Sequence, residues 1–191
     1  AIFRSEYDDK QESILIPVNL ANVATVIRNA ASMEMNGLEL ELMYQVTEAW
    51  DLMVTYGYLE AEYKDYLADL TGDGVITDNS GLIPRNTPEN TFGITTSYTT
   101  QVGDGELKGR ISYRFRDEMN SDSSNNPFGD LDSIENVNAT INYSIDNYSI
   151  TIWGRNLTDE REQRWATIGG LTSRGWWNEP QTLGITFSAL Y

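Results

Sequence analysis

The sequence contains no cysteine and no histidine among its 191 residues. Without Cys there is no disulfide framework, no thiol nucleophile and no thiolate metal site. Without His, serine–histidine chemistry and imidazole ligation are excluded as well. Basic residues are scarce: 13 Lys and Arg stand against 29 Asp and Glu, a net charge of −16. Phosphate binding needs a basic stripe, so nucleic acid is excluded as a partner. No run approaches the roughly 18 apolar residues of a membrane-spanning helix. The chain opens on Ala1-Ile2-Phe3-Arg4 with no signal peptide, as expected of a fragment or a processed piece.

What is present is alternation. In the last stretch Leu183, Ile185, Phe187, Ala189 and Tyr191 share one face of an extended strand, and Thr182, Gly184, Thr186 and Ser188 the other. A two-residue period of this kind marks a strand with an apolar medium on one side and a polar one on the other. Leu38, Leu40, Leu42, Tyr44 and Val46 repeat it against Glu39, Glu41, Met43 and Gln45. Trp50 to Tyr58, Phe92 to Tyr98, Leu107 to Phe115, Val137 to Ile145 and Tyr148 to Ile152 follow suit. Residues 1–12 form a weaker strand, and Ser13 to Asn22, with Pro17, breaks the pattern. The row Lys108, Arg110, Arg114 and Arg116 opposes Leu107, Ile111, Tyr113 and Phe115. Each unpaired charge of that row would cost several kcal/mol in a dry core, whereas a wet lumen accommodates it.

About eight strands result, joined in turn by long and short connections. Tight turns fall at Thr47-Glu48-Ala49, Gly103-Asp104-Gly105 and Asp146-Asn147, and polar passages at 64–89, 117–132 and 155–180. Short turns on one side and long loops on the other are the layout of an antiparallel up-and-down outer-membrane β-barrel. The negative mean hydropathy does not oppose it, since only alternate residues face lipid. Tyr44, Trp50, Tyr98, Tyr143 and Tyr148 lie near the tight turns on the apolar face, where an aromatic belt belongs.

Particular segments carry a family resemblance. Asn29-Ala30-Ala31 followed by Asn36-Gly37-Leu38-Glu39-Leu40-Glu41, then Tyr56-Gly57-Tyr58-Leu59-Glu60-Ala61-Glu62-Tyr63, resemble adjoining strands of TonB-dependent outer-membrane receptors. Gly154-Arg155-Asn156-Leu157-Thr158-Asp159-Glu160-Arg161 resembles that family's Asn-Leu-x-Asp-x-Arg corner, and the ending on Gly184 and Tyr191 is similar to its C-terminal strand. Glu179-Pro180-Gln181 departs from the family's usual Pro-Arg. The resemblance implies the C-terminal portion, residues 1–191, of a barrel of about 22 strands, with the plug domain absent from this chain. It also implies a Gram-negative outer-membrane setting in contact with lipid, and active uptake of a scarce siderophore, vitamin, sugar or peptide. The TonB complex would act through the absent plug segment.

Two segments carry candidate ligand chemistry. Asp69, Thr71, Asp73, Val75 and Asp78, in the loop 69–80 with Gly74 at the sharp turn, have the oxygen-donor spacing of a calcium loop, although Ser80 replaces its bidentate Glu. The bland reading is a solvated acidic loop. Trp165, Trp176 and Trp177 with Arg164 and Arg174 could stack on a sugar or grip an acidic ligand; the competing reading is an interfacial girdle or the loop's own core. The arginine row could select an anion or pair with acids across strands. No catalytic constellation is evident, so an enzyme is not expected. The rival readings are a self-contained eight-stranded outer-membrane barrel acting as an adhesin or structural protein, and a soluble calcium-binding β domain.

Overall fold

The computed structural model describes residues 1–19, 22–169 and 172–190; the terminal aromatic of the closing stripe, Tyr191, lies outside them. The strands are β1 (Ile2–Asn19), β2 (Asn22–Thr47), β3 (Trp50–Ala68), β4 (Thr77–Asp78), β5 (Asn90–Val102), β6 (Gly105–Arg116), β7 (Met119–Asn120), β8 (Asp130–Leu131), β9 (Ile134–Ile145), β10 (Tyr148–Arg155), β11 (Gln163–Gly169), β12 (Thr172–Trp177) and β13 (Thr182–Ala189). One antiparallel sheet runs β1-β2-β3-β5-β6-β9-β10-β13, with β4 added against β3. Sequence neighbours pair throughout, as in an up-and-down barrel. Among the described residues β1 and β13 do not pair with each other. The sheet is therefore an open wall, and it lacks the closure of a self-contained eight-stranded barrel.

Register explains why the alternation survives across the wall. Glu41↔Thr55 continues as Thr55↔Gly93, Gly93↔Arg114 and Arg114↔Asn136. One residue further along, Leu42↔Val54, Val54↔Ile94, Ile94↔Tyr113 and Tyr113↔Val137 run in parallel. Slipping any pair by one residue would send both rows to the wrong side. The apolar row stays exposed: Leu40 52%, Ile111 54%, Ile152 54%, Ile185 71%. In water such a face would be an aggregation hazard, and in a bilayer it is solvated by lipid.

The three tight turns share one end. Asp146 (φ 49°) and Gly103 (φ 62°) take the left-handed conformation that such two-residue hairpins need. Tyr44, Trp50, Tyr98 and Tyr148 are exposed beside these turns, Trp50 and Tyr98 directly paired. The Tyr143 hydroxyl donates to the Val102 carbonyl across the second turn at 3.0 Å. A second aromatic row, absent from the sequence reading, crosses the other end of the same face at Tyr56, Tyr58, Phe92, Tyr113 and Phe115. Tyr56 there donates to Asn90 Oδ1 at 2.7 Å, and the Phe92 and Tyr113 rings lie 6.2 Å apart. Trp50 and Tyr58 are eight residues apart on β3, roughly 27 Å at a strand's rise, which matches an apolar band about 25 Å tall.

Three sequence expectations need correction. Over its described residues the break expected across Ser13–Asn22 is reduced to a register shift between Pro17 and Asn19: β1 runs to Asn19, with Pro17 opposite Val23. Among the described residues Pro17 has no second strand neighbour, so its missing N–H breaks no further ladder bond there. The polar passage expected from Lys64 begins five residues later, because β3 continues to Ala68 past a bulge between Ser32 and Met33. The loop expected over 155–180 contains the β11–β12 hairpin.

Beyond the upper aromatic row the hydrophobic phase inverts, in register as far as Met33 and Tyr63 and then across bulges in β1 and β3. Outward positions become Arg4, Asn36 and Glu60, then Glu6, Glu34 and Glu62. Inward positions become apolar, and Met33, Tyr63, Tyr66, Ala31 and Ile14 form the only buried cluster among the described residues, with Leu70 and Leu82 packed on it.

Candidate functional site

The inward polar rows of β2, β3, β5, β6 and β9 line a cavity of about 1030 Å3. Arg110, Arg114 and Arg116 enter it because β6 alternates them with Ile111, Tyr113 and Phe115. Arg164, at the start of the β11 hairpin, joins them, while Glu39 and Glu41 stand on the β2 side. Glu41 and Arg114 are separated by two intervening strands in register. Arg110 and Arg114 make no ion pair among the described residues. Arg116 donates to the carbonyls of Asp117 and Asp132, at 2.9 and 3.0 Å. Among the described residues the cross-strand pairing considered for these charges is not formed by Arg110 or Arg114.

The long connections are tied to one another and to β1. Ser123 Oγ donates to the Ser13 carbonyl of β1 at 3.0 Å, and Ser121 Oγ to that of Ala166 in β11 at 3.0 Å. Asn125 exchanges two bonds with the Ile83 backbone, 2.7 and 2.8 Å. Beneath them Glu12 is fully buried. Lys10 donates to its Oε1, as does the Tyr63 hydroxyl at 2.8 Å, and Arg85 Nε lies 3.3 Å from Oε2 without hydrogen-bond geometry. Burial pushes the Tyr63 phenol up to about 12, and burial, then Arg85, lowers Lys10. Between these loops and β3 lies a second cavity, about 960 Å3, lined by Glu60, Glu89, Asp117, Glu118, Asp130 and Asp132 and by no Lys or Arg among the described residues.

The Asn156 corner ties β10 to β13. Asn156 is buried at φ 48°, a left-handed conformation that Asn tolerates. Its Nδ2 donates to the carbonyls of Glu160 and Glu179, 2.9 and 3.0 Å, and Gln181 Nε2 donates to that of Leu157 at 3.0 Å. The segment singled out by resemblance is thus a structural lock. Nearby Glu162 is 7% exposed with neither carboxylate oxygen hydrogen-bonded; burial, first, raises its pKa.

The candidate metal loop holds its carboxylates inward. Asp69 Oδ1 accepts from the Thr71 and Gly72 N–H groups (3.1 and 2.7 Å), and Oδ2 from that of Gly74 (2.8 Å). These bonds, Gly74's foremost, hold Asp69 below the usual carboxylate range. Asp73 caps Val75 N–H and Asp78 caps Ser80 N–H, at 2.8 and 3.0 Å. No three acidic side chains converge among the described residues. As arranged, Asp69, Asp73 and Asp78 each accept from backbone N–H groups of their own turns.

The five aromatic and basic candidates separate. Arg164 goes to the large cavity. Trp177 and Arg174 line a smaller one of about 350 Å3 with Gln163, Phe128 and Asp130. Trp165 and Trp176 pair directly across the hairpin, 41% and 74% exposed, and line neither. Sequence reasoning missed Gln163, Phe128 and Asp130, because loop-to-loop packing has no local periodicity.

The family model described as the TonB dependent receptor-like β-barrel matches residues 1–157. Three solved structures are similar over 98% of the chain. The ferric yersiniabactin uptake receptor FyuA from Yersinia pestis is 16% identical with a TM-score of 0.78, 26% of its length being covered. For the siderophore receptor PiuA from Acinetobacter baumannii the values are 21%, 0.72 and 25%. For the ferric-catecholate import receptor Fiu from E. coli K12, in its closed form, they are 20%, 0.67 and 24%. The chain thus spans about a quarter of the length of these receptors, and at such identities the likeness is one of fold.

Proposed function

The chain belongs to the TonB-dependent receptor-like β-barrel family of the Gram-negative outer membrane, and from that premise we propose that it forms wall and outer loops of an uptake receptor for an anionic ferric chelate. The observation that carries the ligand class is the set of four arginines around the large cavity, two of them without an ion pair. Guanidinium groups present rigid forked donors that suit carboxylate and other oxyanions. In this reading the wall contacts lipid outside and a plug inside, and TonB acts through that plug. The work is transport, with the arginines steering and holding the ligand.

Growth of a receptor-deleted strain on ferric siderophores as sole iron source tests it. Complementation by the intact receptor should need TonB, and Arg110→Gln with Arg114→Gln should slow uptake by about tenfold or more. Uptake that persists without TonB overturns the transport reading. Undiminished uptake in the double variant overturns the ligand class.

From the spacing of Asp69, Thr71, Asp73, Val75 and Asp78 we also carry a calcium proposal for loop 69–80. The ion would have to replace the N–H donors on Asp69, so the affinity expected is about 10⁻³ M. Calorimetric titration of the folded receptor against Asp69→Asn measures it.

A further inference from the structure

We infer that the cleft between the β11–β12 hairpin and the Pro127–Gly129 turn is a binding site for a neutral pyranose, separate from the arginine-lined cavity. It rests on the uptake reading only in that this end of the wall faces outward. The cleft holds about 350 Å3, at the small end of ligand pockets. Its floor is Ala166, 2% exposed, and its walls include Phe128 and Trp177, 59% and 61% exposed. Both rings thus leave a large part of their surface open beside the buried floor.

The polar groups decide the class of ligand. Asp130, Gln163 and Arg174 line the cleft, Arg174 at its rim. Asp130 Oδ1 is fixed by Asn120 Nδ2 at 2.6 Å, which orients the carboxylate, and among the described residues Oδ2 accepts no hydrogen bond. Gln163 lies over Gly175, where any Cβ would collide with its amide, so glycine keeps that amide in the cleft. A carboxylate accepts, a guanidinium donates and an amide does both. A simple anion is repelled by Asp130 and a simple cation by Arg174. Vicinal hydroxyls use all three, and a sugar ring also has the apolar C–H face that lies on an aromatic side chain.

The site is held by long-range contacts. Asn126 Oδ1 caps the turn through Phe128 N–H at 3.1 Å, and Ser121 Oγ ties the turn's loop to Ala166. Neither segment builds the cleft alone.

The test uses the intact receptor in detergent, with saturation-transfer NMR against methyl hexopyranosides and their disaccharides, and inorganic phosphate and citrate as anion controls. Binding of at least one sugar is expected, weakened about tenfold in Trp177→Ala and also weakened in Gln163→Leu. Heat-modifiable migration confirms that each variant is folded. Binding of no sugar, binding unchanged in both folded variants, or preference for phosphate or citrate each overturns the site. Iron-dependent growth reads the uptake proposal separately, so the two can fail independently.

Discussion

The lower and upper halves of β2 and β3 carry opposite chemistry on the same two faces. In the lower half Leu40, Leu42, Val54 and Tyr56 point outward, while Glu39, Glu41 and Thr55 point inward. In the upper half Glu34, Asn36, Glu60 and Glu62 point outward, and Met33, Tyr63 and Tyr66 are buried inward. The period of two holds from Trp50 to Tyr63, a bulge at Lys64 then turns Tyr66 inward as well, and the medium on each side differs. Lipid outside and water inside select one phase; water outside and a loop-covered core inside select the other. The switch lies between Tyr58 and Glu60 on β3, which places the outer edge of the apolar band there.

The largest expected break comes in the upper half. Glu12→Ala leaves Lys10, Arg85 and the Tyr63 hydroxyl without their common acceptor, and loss of one buried partner costs about 3–5 kcal/mol. Limited trypsin digestion should then cut faster after Arg85, while heat-modifiable migration of the barrel stays unchanged. Equal loss of both would mean the halves are not energetically separate.

In the lower half Ile111→Lys should destabilise by about 2–4 kcal/mol at mid-band, read by urea unfolding in lipid vesicles. Its neighbour Ser112→Lys, on the wet face, should stay within about 0.5 kcal/mol. Similar costs at the two positions would contradict the assigned faces.

Alkali sharpens the contrast further. The Tyr63 phenol is raised to about 12, so folding favours its protonated form. That contribution is complete below the unfolded value of about 10 and is lost as pH rises toward 12, on the order of 2 kcal/mol. The difference in tyrosinate absorbance between wild type and Tyr63→Phe should show one phenol titrating near the upper value. Titration near 10 would mean that the core above the band is wet.

The smallest effect is expected on the outward charges above the band. Lys64, half exposed, lies 3.4 Å from Glu34, which is buried but also held by Arg4 and Asn36, and pairs with the exposed Glu62. Lys64→Ala should cost about 0–1 kcal/mol, measured by the same unfolding and reduced further at high salt.

Strands and faces in the lower half were legible because a period of two is a local property. Leu38 to Val46 and Leu183 to Ala189 declare it within nine residues. The chain's continuation through Pro17 was not legible, since it depends on pairing with Val23 across the β1–β2 ladder. Nor was the upper aromatic row: Tyr56 and Tyr113 look ordinary until register places them beside Phe92. Of the ligand candidates, Trp177 and Arg174 meet in one cleft and Arg164 does not, because a bulge between Gln163 and Trp165 separates them.

By itself the sequence determined an all-β chain, its antiparallel order, which end carries the turns, and which residues face lipid. Each of these follows from alternation and turn chemistry between near neighbours. Only the tertiary structure decided the inverted upper half, the gathering of the arginines around one cavity and the polar cleft beside Trp177. Those depend on contacts such as Tyr63 with Glu12 and Ser123 with Ser13, 51 and 110 residues apart. Strand periodicity carries no record of which distant loop will cover a face, and that covering sets whether the face is wet or dry.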